Sequence, residues 1–329
     1  MPMNKPDITD KIRKKAGVAR LRNAMVASLR EMMANKPPDV DREKCFADAA
    51  DRVLEVLRSE LFEEALEPAT ELEEAQAQAK AEHVAGDFDR IVKQVVSDVR
   101  TGYLVSNLQM MKALGSAIAE RDAGDSGHNL KVTLYSAKLG EEVGLDQDQM
   151  QALIKGSFLH DIGKISISDA ILLKPDRLTR DETTKMHNHV LFGAHILKEV
   201  KWLEDATDVV MFHHEHWDGT GYLSGLSREK IPLNARIFTI VDVFDALTSG
   251  RPYKQAYSYD QTMEYLHSNS GTLFDPNLLE TFSKISRELY EQIAMRDQYQ
   301  LDKLIHEMII NHFNIDLADT RLKSKYSIL

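Results

Sequence analysis

Apolar side chains recur at three- and four-residue steps along the chain, and strand-like alternation is almost absent. That spacing gathers apolar groups on one face of a helix, whereas a half-buried strand needs a period of two. Asp39 or Asp41, behind Pro37-Pro38, is a candidate helix start, and Phe46, Ala49/Ala50, Val53, Leu57 and Leu61 form the stripe that follows. Pro68 interrupts it, the Glu/Ala/Gln-rich run to Lys80 reads as another helix or a helical linker, and Gly86 marks a softer break. Ile91, Val95, Val99, Tyr103, Leu104, Leu108, Met111 and Leu114 then predict a long helix between Phe88 and Arg121, with the Met110-Met111 pair as core. The expected fold class is all-α, with loops at the Gly/Pro/Asp clusters.

With 329 residues, 43% of them apolar and 28% charged, the chain can bury a substantial core and has room for two domains. Its net charge of −11 argues against binding a nucleic-acid polymer or an anionic membrane. Cys45 stands alone and cannot form an internal disulfide, which fits a reducing cytoplasm. No apolar run reaches the roughly 18 residues of a membrane span, and the N-terminus lacks the apolar core of a signal peptide. Charge is uneven along the first third. Residues 1–36 carry nine Lys/Arg against three Asp/Glu, and residues 55–90 carry eleven Asp/Glu against three Lys/Arg. These segments could pair within one chain or between two, or could each be a solvated helical face.

Eight of the twelve histidines fall between His128 and His216, about a quarter of the chain. The candidates for chemistry are His128, His160-Asp161, His189 and His213-His214, with Asp242 and Asp245 farther on. In SFLHDIGKISISDAILLKP an apolar helix ends in His160-Asp161, and Gly163 lets the chain turn. Neighbouring helical side chains diverge by about 100°, so two adjacent ligands can flank one metal or serve two. Aspartate can also bridge two cations through its two oxygens, and Lys164 could set its ammonium beside a phosphate. In HHEHWDGTGY, residues 213–222, imidazole and carboxylate groups crowd together, but one short stretch cannot close a coordination sphere.

From about Gly127 to Phe282, roughly half its length, the chain resembles the HD-GYP domains, metal-dependent phosphodiesterases that hydrolyse cyclic di-GMP. The resemblance rests on ordered motifs: HDIGK, KPDRLT, the HxxxG of HVLFG, HHEHWDGTGY, IPLNARIFTIVDVFDALTSGRPYK and GTLFDP. It implies an HD-type helical bundle, with metal ligands at His128, His160, Asp161, His189, His213, His214 and Asp242. Asp161 would bridge the metals and Lys164 would contact the scissile phosphate. Tyr222 takes the tyrosine position of the GYP loop, and Arg251 and Lys254 take positions that bind substrate phosphate or guanine. The implied reaction gives linear pGpG and/or GMP through a hydroxide bridging the metals. Ligation by nitrogen and oxygen suits iron or manganese, and zinc and nickel also accept imidazole.

Three positions depart from that pattern. Leu223 replaces the proline of GYP, which removes a fixed φ, and Ser168 replaces a proline in the usual IPD segment. Gly124 stands where three-metal members carry a glutamate, so a two-metal site is expected unless Glu120 or Asp125 compensates. Asp245 is assigned to orienting a histidine or arginine, while Glu215, His216 and Trp217 are assigned to shaping their loop. Asp218-Gly219 reads as a turn; His187 and His195 flank His189 without a motif place and read as residues behind the ligands or at the surface; His267, His306 and His312 read as ordinary helix residues. The expected layout is a helical regulatory or dimerisation region over 1–100 and the phosphodiesterase domain with a helical extension over 101–329. A homodimer or a protein partner would engage the first region. The rival readings are a low-activity or non-catalytic cyclic dinucleotide receptor acting through protein partners, and hydrolysis of another nucleotide.

Overall fold

A computed structural model describes residues 101–121, 127–249 and 255–315. The basic and acidic segments, the stripe from Phe46 to Leu61, Cys45, Gly124, Asp125, Arg251 and Lys254 lie outside the described residues. From Tyr103 onward the described residues belong to one compact unit, Tyr103–Leu329. Among them there is no β-strand, only a single parallel bridge between Ser270 and Phe274, so the all-α expectation holds. No helix among the described residues is long and apolar enough to cross a membrane.

Helix α1 occupies residues 101–121. It is followed by α2 (His128–Val143), α3 (Gln147–Leu159), a 3-10 segment (Ile162–Ser166) and the one-turn α4 (Asp169–Leu172). Next come α5 (Arg180–His187), α6 (His189–Lys198), a 3-10 segment (Lys201–Ala206) and α7 (Thr207–Phe212). A short 3-10 turn (Arg228–Lys230) leads to α8 (Leu233–Thr248), α9 (Tyr259–Ser268), α10 (Pro276–Ile293) and α11 (Gln298–His312). Asp146, Thr179, Ser258 and Asp297 each start a helix with a reciprocal capping box, which pairs two otherwise orphaned backbone N–H groups. Gly144, at φ +80°, ends α2 in the left-handed region.

Helix α2 is the centre of the bundle, packing against α3, α8, α10 and α11, while α7 and α8 also touch each other. Tyr135, Phe158, Phe238, Phe244 and Phe282 are fully buried, and Phe244 meets Tyr135 and Phe282 edge to face at 5.4 and 5.1 Å.

The buried face of α1 differs from the expected stripe. Val105, Leu108, Met111 and Ile118 are buried with Gly115 among them, whereas Leu114 and Met110 are exposed. The reason is Gly115, where a Cβ would stand 2.6 Å from the Phe158 ring. A glycine that brings two helices together leaves no mark in an apolar periodicity, so Met111 is core and Met110 is not. At its end α1 is tied to the HDIGK stretch. The Arg121 guanidinium donates to Lys164 O (2.8 Å), Ile167 O (2.7 Å) and Asp169 Oδ1 (2.7 Å).

Gly163 lies in the turn expected of it, closed by Lys164 N on Asp161 O (2.9 Å), and has a second use. A Cβ there would lie 1.8 Å from His189 O and 2.5 Å from Gly193 N, so the residue is needed for close backbone approach to α6. Gly193, the glycine of HVLFG, is the other half of this contact. We predict that Gly163→Ala destabilises the protein by about 3 kcal/mol, the upper end for overpacking. Urea unfolding should show a lower midpoint with unchanged helical circular dichroism in water, and an unchanged midpoint would refute the close-contact role.

Candidate metal centre

The ends of four helices converge on the histidines. His160 caps α3, and Asp161 follows with φ −96° and ψ 8°, in the sparsely used bridge region. His128 opens α2, His189 opens α6, His213-His214 follow α7, and Asp242 lies within α8. Two donor groups result. His189, His213 and His214 form one, and His128, His160 and Asp242 form the other, with the donor atoms in each group within 4.8 Å of one another. Asp161 lies between them: Oδ2 is 3.1 Å from His160 Nε2 and Oδ1 is 3.4 Å from His189 Nε2. All seven residues proposed as ligands are therefore brought together, and the two oxygens of Asp161 face different groups. Glu120 is exposed on α1 and belongs to neither group among the described residues.

The inner ring nitrogens explain why the outer ones point inward. His160 Nδ1 donates to Ser157 O (2.9 Å), His189 Nδ1 to Met186 O (2.8 Å), and His213 Nδ1 to Val210 O (3.1 Å). A carbonyl can only accept, so Nδ1 donates in each case, and Nε2 is the ring nitrogen left facing the other donors. His128 Nδ1 is held by Asp245 Oδ2 at 2.7 Å, which leaves His128 Nε2 3.3 Å from Asp242 Oδ1. Asp245 thus meets the orienting role read for it. It is steadied by Ser249 Oγ (3.2 Å), which in turn accepts from Lys131 Nζ (3.2 Å). The buried Nε2 atoms of His189 and His213 have no hydrogen-bond partner among the described residues. Buried polar atoms are rarely left so. Lone pairs converging beside carboxylates fit divalent cations that accept imidazole and oxygen ligands.

Charge is distributed unevenly. Burial pushes His214 down to about 4, and burial with the neighbouring imidazoles holds His213 well below its ordinary value. Burial likewise lowers His189. Burial also disfavours the His128 cation, but hydrogen bonds to Asp242 and Asp245 prevail and raise it to about 10. Burial opposes ionisation of Asp161, yet Lys164 and His160 hold its carboxyl well below the usual range. Lys164 Nζ lies 2.8 Å from Asp161 Oδ2, beside the proposed metal positions.

The HHEHWDGTGY loop is pressed back onto the histidine pair. A Cβ at Gly221 would stand 2.4 Å from both His214 O and His216 N. Tyr222 N donates to His214 O (3.2 Å), and the Tyr222–Leu223 peptide is cis. Asp218-Gly219 is a turn, with Thr220 N donating to Asp218 Oδ1 (2.9 Å) and Gly219 at φ +86°. Glu215 is buried and accepts from Ser224 N at 2.7 Å, consistent with loop shaping. GTLFDP supports the same loop from outside: Trp217 N donates to Leu273 O (3.1 Å) and Asp218 N to Thr272 O (2.9 Å). Asp275 caps α10 and pairs with Arg236 (2.7 Å), whose guanidinium lies over Trp217. Ser168, at φ −63°, keeps a value that proline would hold. His187, read only as a residue behind the ligands or at the surface, stacks on Tyr222 at 3.6 Å, a contact the residue order did not name. Its position at the end of a capped helix, two residues before His189, was the available signal.

The family model for the HD domain matches residues 112–278. The chain belongs to the HD domain family. Within it, the HD-GYP resemblance read from the ordered motifs holds. The cyclic di-GMP phosphodiesterase response regulator RpfG of Xanthomonas campestris is 37% identical over 188 residues, 56% of this chain and 50% of that protein. A cyclic di-GMP phosphodiesterase of Thermotoga maritima is 32% identical over 201 residues, 60% of this chain and 55% of that one. A 3′3′-cGAMP-specific phosphodiesterase 2 of Vibrio cholerae is 36% identical over 174 residues, 52% of this chain and 33% of that one. The chain thus spans about half the length of the first two relatives and a third of the last.

Two predictions follow from this HD domain's geometry. Asp161→Asn removes the charge set between the donor groups. Elemental analysis should find less than about a tenth of the parent's metal, with helical circular dichroism retained, because breaking a buried charge site costs about 3–5 kcal/mol. Full retention of metal would show that Asp161 does not join the groups. The second concerns metal-free protein. An unfolded histidine titrates near 6.5, whereas His214 titrates at about 4 in the fold. Between those values the unfolded chain binds more protons, so stability rises with pH and is lost on acidification. His128, raised to about 10, loses its contribution only above this window. Chelator-treated protein should show a Tm that falls from about pH 6.5 towards pH 4, and less so in His214→Gln. A pH-independent Tm would contradict it.

Proposed function

We propose that this HD domain is a phosphodiesterase that hydrolyses cyclic di-GMP to linear pGpG and/or GMP, using two divalent cations, iron or manganese. The observation that carries the reading is Asp161 set between two three-residue donor groups, with Lys164 at 2.8 Å. His189, His213 and His214 would hold one cation, His128, His160 and Asp242 the other, and Asp161 would serve both. When bound, the cations would activate water and neutralise charge building on the phosphoryl oxygens. Lys164 would stand beside the attacked phosphate, where its charge counts most as negative charge develops. Asp245, gripping His128 Nδ1, would keep that ring's Nε2 turned inward. Tyr222 would face the substrate, and Arg251 and Lys254, which lie outside the described residues, would meet its second phosphate or a guanine.

The relatives' names, two for cyclic di-GMP and one for 3′3′-cGAMP, support a cyclic dinucleotide and make cyclic di-GMP the first substrate to try. We further propose that residues 1–100 form a regulatory or dimerisation region and that the protein works in the cytoplasm.

The test is to incubate iron- or manganese-loaded protein with cyclic di-GMP, or with 3′3′-cGAMP, and separate the linear products. We expect faster turnover of cyclic di-GMP. Arg251→Ala should raise KM by about 10- to 100-fold, as charge-assisted hydrogen bonds are worth roughly 1.5–3 kcal/mol, whereas Lys164→Ala should lower kcat. Binding without hydrolysis under either metal would replace the enzyme by a receptor, and faster turnover of 3′3′-cGAMP would change the substrate.

A further inference from the structure

The substrate-side loop is held at the backbone by Gly221 against His214 and His216, by Tyr222 N on His214 O, and by Ser224 N on Glu215. The Tyr222 side chain is held in another way. His187 stacks on one side of it at 3.6 Å and 2°, and His214 stacks at 4.7 Å and 26°. With two imidazoles stacked on its ring, Tyr222 is poorly placed to stack on a nucleobase as well.

His187 comes from a different element than the loop it touches. It is the last residue of α5, whose start is fixed by the Thr179–Glu182 capping box and by Lys174 Nζ on Glu182 Oε2 at 2.6 Å. The next position in the loop, Leu223, lacks the fixed φ of the proline found in the GYP pattern. A face-to-face ring from a neighbouring helix supplies restraint where that proline is missing.

We propose that His187 is a positioning residue: its ring clamps Tyr222 against His214 and so fixes the substrate-facing edge of the loop. The clamp itself stands on geometry alone, whereas its consequence for turnover rests on the phosphodiesterase reading.

Hydrogen exchange and kinetics on the metal-loaded protein separate the two. In His187→Ala, exchange at the Tyr222 and Ser224 amides should rise about three- to tenfold, the scale of one aromatic pair. His187→Phe keeps a flat ring and should restore slow exchange. In a Tyr222→Leu background, His187→Ala should add nothing, since the clamp has lost its object. Hydrolysis should follow the same order, with kcat/KM reduced by a similar factor in His187→Ala, recovered in His187→Phe, and metal content constant throughout. Unchanged loop exchange in His187→Ala, or a phenylalanine variant as disturbed as the alanine one, overturns the proposal. If the parent protein hydrolyses no cyclic dinucleotide, the phosphodiesterase reading fails by itself, and the exchange data still decide whether His187 clamps Tyr222.

Discussion

Asp161 reaches two histidine groups because the backbone beside it lies almost against α6. At Gly163 a side chain would run into His189 O and Gly193 N, so only a glycine allows the two segments to meet. This contact sets His189 Nε2 3.4 Å from one Asp161 oxygen while His160, on the same turn as Asp161, takes the other at 3.1 Å. Arg121 fixes the segment from its other side through the carbonyls of Lys164 and Ile167. The position of one carboxylate thus depends on a packing contact and on guanidinium hydrogen bonds to two backbone carbonyls.

Electrostatics explains why such a centre needs this scaffold. Several imidazoles buried together repel as cations, and burial opposes charging each of them. Backbone carbonyls at Ser157, Met186 and Val210 accept the Nδ1 protons and so turn these rings inward by their Nε2 atoms. His128 is the exception, because Asp245 and Asp242 stabilise its cation. A divalent ion there would have to displace that proton, which couples metal binding to pH at this side of the site.

Much of this was legible from residue order. Three- and four-residue apolar spacing predicted helices, and the described residues contain no strand. The histidines and aspartates named as ligands meet in space, because motifs at four helix ends and Asp242 within α8 bring their side chains together. What stayed hidden depends on groups without a periodic signature. Gly115 shifted the buried face of α1 onto Val105 and Ile118, leaving Leu114 and Met110 outside. Gly163 read as a turn because a close approach requires knowing what approaches. The partner of His187 was not legible, because Tyr222 lies 35 positions away in sequence. KPDRLT and GTLFDP carried no stated role in the residue order, and in the fold Lys174 and Asp275 are engaged in cap and ion-pair contacts that hold the frame.

The central claim is that two donor groups joined by Asp161 hold two cations. Anomalous diffraction from crystals of metal-loaded protein, recorded at the metal's absorption edge, tests it most directly. The account predicts two peaks about 3.5–4 Å apart, one beside His189, His213 and His214 and one beside His128, His160 and Asp242, with Asp161 between them. A single peak, or a third fully occupied one near residues 120–125, would contradict it.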